Sequence, residues 1–409
     1  MKKLLITLLI ICISSLVFAE LNPPHRYFEM GIDTNVGFSN NYFNYSSFLE
    51  SDTIVFDFTK MSQDLRNGLT LDFNADINVF INANFGKKFR IGFFSGIDSW
   101  GIINIHKDLI DFLAKGNIEG DHSISATVGM DSAFFVESGF KFNTFIKNVG
   151  IKFESSFFVP IMYLPNTKVM GKVKMNDDGS MLLEATGNVE MYTLFSENFM
   201  TEEDVFTFND TGLDFSLAVE YPLLSNLDIG VEFNHIPAVK AALYNKISTS
   251  VSTSMQIDSV LDSLGKDSEE EETDEEEEGI ISDEVFEVLT EPFKINRPFE
   301  MLVAATFRPF GNWFDIRGDL GVVFYDPIYI NFNVGAGLHF VKMCKMGGYL
   351  FNLNFTTGYN ERIWMQKLDL ALNLRLFEIN VGVSTRSSDF IKSFTGTGLG
   401  AYVGFALGF

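Results

Sequence analysis

Cysteine is almost missing from this chain, with two residues among 409, Cys12 and Cys344. Cys12 lies in an apolar N-terminal stretch, so once that stretch is removed no internal disulfide can form. After that stretch no run approaches about 18 uninterrupted apolar residues, which excludes a bundle of membrane-crossing helices. Basic residues are few, 30 Lys and Arg against 54 Asp and Glu, for a formal net charge of −24. A field of that sign excludes nucleic acid as a partner. Histidine is sparse too, and neither Gly-x-Ser-x-Gly nor His-Glu-x-x-His occurs. No catalytic residue, metal site or other cofactor is therefore assigned, and the chain is read as no enzyme.

What is present begins with "MKKLLITLLIICISSLVFAE", where two lysines precede an apolar core from Leu4 to Ile13 and a Val17-Phe18-Ala19 end. This is a secretory signal over residues 1–19, cleaved after Ala19, and it leaves 20–409 as one domain. Residues 267–278, "DSEEEETDEEEE", hold ten carboxylates in twelve positions. Hard carboxylate ligands suit Ca²⁺, but the Gly and Asn spacing of a calcium loop is lacking. The run reads as a self-repelling, disordered external loop at about 258–298 that could meet an extracellular partner.

Alternation dominates the rest. In "LTLDFNADINVFINANF", residues 69–85, the odd positions are Leu, Leu, Phe, Ala, Ile, Val, Ile, Ala and Phe, and the even ones are polar except Phe80. Successive strand side chains point to opposite faces, so one face is apolar and one wet. The pattern recurs at 28–38, 328–340, 368–377 and 399–409, and more weakly near 89–98, 121–131, 133–144, 149–159, 166–176, 181–192, 213–221, 226–235, 247–257, 299–308, 314–324, 349–359 and 378–386. Many of these candidates approach the roughly 9–11 residues of a tilted membrane strand, longer than usual soluble strands. In a bilayer a sheet satisfies its backbone groups only by closing on itself. The expected fold is all-β, a transmembrane antiparallel β-barrel of about 14–18 strands with long external loops. Long intervals fall at 39–68, 99–120, 193–212 and 258–298, and tight turns at 86–88 and 309–312. Strand parity puts 193–212 on the side of the short turns, which signals one misassigned strand between 130 and 245. Residues 104–115 suit a short amphipathic helix, either in the barrel mouth or capping an apolar rim.

The last strand, "LGAYVGFALGF", carries Gly404, Leu407 and Phe409. It resembles the terminal strand of Gram-negative-type outer-membrane proteins, polar–Gly–x–x–hydrophobic–x–aromatic, although Val403 occupies the polar position. The resemblance implies outer-membrane localisation, contact with outer-membrane lipid, recognition by barrel-assembly machinery and closure of the barrel by Phe409. At about sixteen strands the interior is too wide for side chains alone to fill, so a channel or a loop-plugged lumen is expected, and with it passive uptake of small solutes by a protein similar to porins or long-chain fatty-acid transporters. Those transporters begin with Asn-Pro-Ala and an N-terminal plug, where this chain has Asn22-Pro23-Pro24 and few residues before Phe28. The Asn- and Phe-rich, low-disulfide style also resembles spirochaete barrels. The alternative is a surface-displayed interaction or adhesion protein whose barrel anchors external loops. Outer-membrane lipases resemble one another in a His and a Ser two residues apart, whereas here Ile124, Pro237 and Val341 follow His122, His235 and His339.

Parity directs a set of charges inward: Arg308, Arg317, Asp319, Arg375, Asp369, Arg386, Lys141, Lys152 and Glu154, faced by Asp33, Asp72, Asp76, Asp214 and Glu232. They can pair across strands to hold the barrel's shape, or form a constriction that sorts solutes by charge.

Overall fold

The computed structural model describes residues 26–43, 57–65, 68–86, 88–115, 124–175, 181–195, 210–257, 281–325, 328–342, 349–360, 363–374 and 376–409. Among them lie β1 (Phe28–Asn40), β2 (Leu69–Phe85), β3 (Phe89–Ile105), β4 (Ile124–Ile146), β5 (Val149–Met175), β6 (Met181–Thr193), β7 (Gly212–Leu224), β8 (Leu227–Val239) and β9 (Ala241–Ile257). Then follow β10 (Ile281–Ile295), β11 (Phe299–Phe307), β12 (Phe314–Phe324), β13 (Tyr329–Lys342), β14 (Tyr349–Asn360), β15 (Ile363–Leu374), β16 (Phe377–Ser387) and β17 (Leu399–Gly408). Neighbours pair antiparallel, and β1 meets β17 from Glu29↔Gly408 to Phe38↔Leu399, so the sheet closes.

Three staves are each built from two strands. β6 and β7 both lie antiparallel to β5, β8 runs on into β9 at Lys240, and β10 runs on into β11 through Asn296, Arg297 and Pro298. The result is a closed antiparallel barrel of 14 staves.

Several expectations need correction. The segments 121–131 and 133–144 are one strand, β4, and 149–159 and 166–176 are one strand, β5. Register shifts at Met130/Ser132 and Phe134/Phe135 interrupt the alternation and make long strands look like short ones. The interval 193–212 does not reverse the chain, because β6 and β7 run in the same direction, and the parity conflict disappears. Part of the loop expected at 258–298 is strand β10. The acidic run, the signal segment, Cys344 and Arg375 lie outside the described residues.

Register shows why alternate residues differ. One row of cross-strand partners runs Leu338, Leu353, Leu370, Val381, Val403, Thr34, Ile77, Ile97, Val136, Val159 from β13 round to β5. Its members face outward: Leu370, Val381 and Val403 are 49%, 46% and 48% exposed. Thr34, the one polar member, donates its hydroxyl to the Val403 carbonyl at 3.0 Å. The neighbouring row runs Asp315, Gly337, Asn354, Asp369, Gly382, Tyr402, Asn35, Asp76, Asp98, and faces the bore. An apolar skin around a polar interior inverts a soluble protein and matches a lipid solvent. Aromatics gather at both rims of the skin. Tyr27, Phe310, Trp313 and Phe409 are exposed at the end that holds Arg26 and Phe409, while Phe299 stacks on Phe324 at 5.3 Å near the far end.

Closure is completed by the tail. Phe409 stacks on Phe28 with ring centroids 5.8 Å apart, its carbonyl accepts from the Tyr27 N–H at 2.6 Å, and its N–H donates to the Phe28 carbonyl at 3.1 Å. At the far end, β5 leaves β7 beyond Phe158 and pairs with β6, which pairs with β9, which pairs with β10. An upper sheet therefore stands above the barrel on one side. Two helices, α1 (Phe58–Asp64) and α2 (Lys107–Lys115), pack Met61, Leu65 and Ile110 against Leu69, Leu71 and Ile105. These strand residues belong to the outward set, so α2 caps an apolar rim and does not fill the mouth.

Candidate functional site: a bore bridged by side chains

The interior of a 14-stave barrel is too wide for single side chains to close, yet pairs of them bridge part of this one. Contacts between staves that are not neighbours mark the bridges, because such side chains meet only inside the bore. Most occur at three levels in the arc from β3 to β12; in the other arc Arg386 of β16 reaches Asn74 of β2, and Lys367 of β15 lies 4.7 Å from the ring centre of Tyr402 of β17.

Nearest the far end is an aromatic arch. Phe293 of β10 lies between Tyr192 of β6, at 3.9 Å, and Tyr163 of β5, at 5.7 Å. The Tyr163 hydroxyl meets the Tyr325 hydroxyl at 3.0 Å, and the latter donates to Asp131 of β4 at 3.1 Å. Tyr325, one residue beyond β12, stands edge-on to Trp100 of β3 at 5.4 Å. From β3 to β12 is six steps round the 14-stave ring, one short of the diameter. Beneath the arch Ala133, Phe135, Phe158, Ala241 and Ile295 form a buried apolar cluster.

The middle level is ionic. Arg297 sits in the break between β10 and β11 with its side chain 1% exposed. Its Nε and Nη2 donate to the two Asp214 oxygens of β7 at 2.8 Å each, and its Nη1 donates to Glu137 of β4. The planar fork of guanidinium suits such two-point binding of a carboxylate. Its carbon lies 5.0 Å from the Phe158 ring centre, a cation–π contact. Ser156 donates to Glu137 at 3.0 Å, and His235 Nδ1 lies 3.4 Å from Asp214. His235 has φ of 53°, and the β7–β8 register shifts between Phe215 and Leu217. This bulge turns the imidazole toward Asp214. Lys152 of β5 reaches Glu232 of β8 at 3.6 Å and Glu154 at 3.9 Å. At the third level, toward the termini, Phe145 of β4 packs on Leu302 and Ala304 of β11.

The remaining arc, β13 to β17 with β1 and β2, is lined by short or flat groups such as Gly337, Asn354, Gly382 and Asn35. Arg386 lies flat there, because a Cβ at Gly37 or Gly400 would collide with its guanidinium.

The charges picked out by parity mostly pair locally. Arg308 bonds Asp228, and Arg317 binds Asp315 of its own strand at 2.7 and 2.9 Å. Asp319 accepts from Asn333 at 2.8 Å, Asp369 pairs with Lys367 at 3.1 Å, and Lys141 pairs with Glu154 at 3.6 Å. Asp72 accepts from Ser39 at 3.3 Å, Asp76 from Asn35 at 2.9 Å, and Asp33 from the Tyr402 hydroxyl at 3.0 Å. Arg386 donates to Asn74 and to Ser384. The structure thus brings together Lys152 with Glu232 and, through a residue the sequence reading missed, Asp214 with Glu137. Arg297 escaped notice because it fell in a supposed loop. The available signal was Phe135 and Phe158 on the wet parity, large apolar groups that an open bore would not carry. Among the described residues no group of three or more His, Cys, Asp or Glu is placed to hold a metal ion.

No family model matches the chain, and no curated protein matches it. Among solved structures it is similar to the Pseudomonas putida toluene transporter TodX, at 9% identity and TM-score 0.46 over 97% of this chain and 96% of that one. It is also similar to the Ralstonia pickettii toluene transporter TbuX, at 8% identity and TM-score 0.44 over 97% and 95%. The translocator domain of the Neisseria meningitidis autotransporter NalP matches at 7% identity and TM-score 0.33 over 93% and 88%.

Proposed function

We propose that this protein is an outer-membrane channel for passive uptake of small solutes. Residues 1–19 direct export, and the rim that holds Phe28 and Phe409 faces the periplasm. The observation that carries the reading is the inner row from Asp315 through Asn354, Asp369 and Asn35 to Asp98, a wet lining on an arc where the larger side chains lie along the wall, Phe80 over Gly31 and Arg386 over Gly37. Carboxylates, carboxamides and a tyrosine hydroxyl there replace water around a polar solute, and Gly337 and Gly382 leave room beside them. Opposite, the bridged arc narrows the bore. Planar-bilayer recording of the refolded mature protein tests this: discrete conductance steps are expected, and a folded but silent barrel refutes it.

One observation favours the second reading, a surface-displayed interaction protein. The sheet of β5, β6, β9 and β10 rises past the far rim, where a simple pore needs no wall. That reading expects a silent bilayer and an external partner whose binding is lost when the tips of β9 and β10 are removed.

A further inference from the structure

Resting on the channel reading, we propose that Arg297 is the latch of a closed state, set in a hinge between the upper sheet and the barrel, and that its withdrawal from Asp214 and Glu137 widens the bore. The hinge is visible in the pairing. The β8–β11 ladder stops at Asn234↔Glu300 and its continuation, β9–β10, resumes at Ala241↔Ile295. At the same level β5 changes partner, from β7 at Phe158↔Gly212 to β6 at Met162↔Thr193. Between β10 and β11, Asn296, Arg297 and Pro298 have no ladder partner on either neighbouring stave, and such backbone bends at lower cost than the β4–β5 ladder, which continues past the same level.

Arg297 occupies that gap. Its cation is out of water, so both carboxylates are needed to keep it there, and losing either contact favours its release. The contacts above the gap would move with it. Phe293, four residues before Arg297, is stacked on Tyr163, whose hydroxyl meets that of Tyr325 just beyond β12. Tilting of β10 away from the barrel axis therefore unstacks Phe293 from Tyr163 and draws Arg297 off Glu137 in one movement. The arch and the latch are two ends of the same lever. Interfaces of this kind switch between discrete arrangements, because packed side chains do not stretch.

Single-channel recording of wild type, Arg297→Ala, Arg297→Lys and Glu137→Gln decides the matter, with heat-modifiable gel mobility certifying that each barrel is folded. Wild type is expected to dwell mainly in a low-conductance level. Arg297→Ala should raise occupancy of the higher level by about tenfold or more, the shift expected when charge-assisted bonds to one state are lost. Glu137→Gln, which leaves the two-point bond to Asp214, and Arg297→Lys, which cannot form it, should fall between. A folded Arg297→Ala channel with wild-type levels and occupancies overturns the latch while leaving the channel intact. Should Arg297→Ala fail to fold, an unchanged Glu137→Gln channel overturns it equally. Silence of every folded variant removes the channel reading and the latch together.

Discussion

Placing one arginine on either face of β16 tests the inverted architecture directly. Val381 is mid-strand and 46% exposed on the outer skin, where Leu370 and Val403 flank it in register. Its neighbour Asn380 faces the bore, donates to Glu378 at 3.4 Å and lies opposite Gly404, beside Asp33. At about 3.3 Å per residue and a tilt near 40°, position 381 lies roughly 10 Å or more from either interface, beyond easy reach of a snorkelling guanidinium. Val381→Arg should then cost about 2–4 kcal/mol of folding free energy, the range for arginine near a bilayer midplane. Asn380→Arg finds water and two carboxylates, and should cost under about 1 kcal/mol. Urea titrations of folding into phosphatidylcholine vesicles, followed by tryptophan emission, read the difference as a shift in midpoint. Equal shifts for the two variants would refute the assignment of faces, and with it the bilayer-spanning barrel.

Phe409→Ala removes the ring stacked on Phe28 at the closing seam, and should lower assembled yield and stability by about 1–3 kcal/mol, scored by heat-modifiable mobility. Lys152→Met leaves Glu232, whose side chain is 3% exposed, without that cation and should cost about 3–5 kcal/mol in the same urea assay. The double change Lys152→Met with Glu232→Met should recover much of that loss, and a simply additive result would show that the pair is not coupled. Ile110→Asp places a carboxylate in the small core beneath α2, so limited proteolysis should cut near 107–115 faster while conductance is unchanged. A barrel that fails to assemble would show instead that this cap is integral to the fold.

Much of this molecule is legible along the chain because a strand's period is two and a membrane barrel sorts its faces strictly. "LTLDFNADINVFINANF" announces β2 to within its ends, and the tail's alternation announces β17. Legibility fails where alternation does. The register shifts in β4 split one strand into two apparent ones, and the acidity leading into β10 made a strand look like loop. Parity picked out a set of charges but not which of them would meet. Arg317 turned to Asp315 on its own strand, not across a pore.

Sequence alone therefore determined the class of solvent on each face, the inside-out skin and the need to close, since these depend on residue type and neighbour spacing. Tertiary structure alone decided that 17 strands make 14 staves, that three of the staves are spliced, and that Arg297 meets Asp214 and Glu137. The physical reason is that closure and shear fix which distant strands face one another. A side chain's partner across the bore is set by the circumference of the whole sheet, and no local pattern records that.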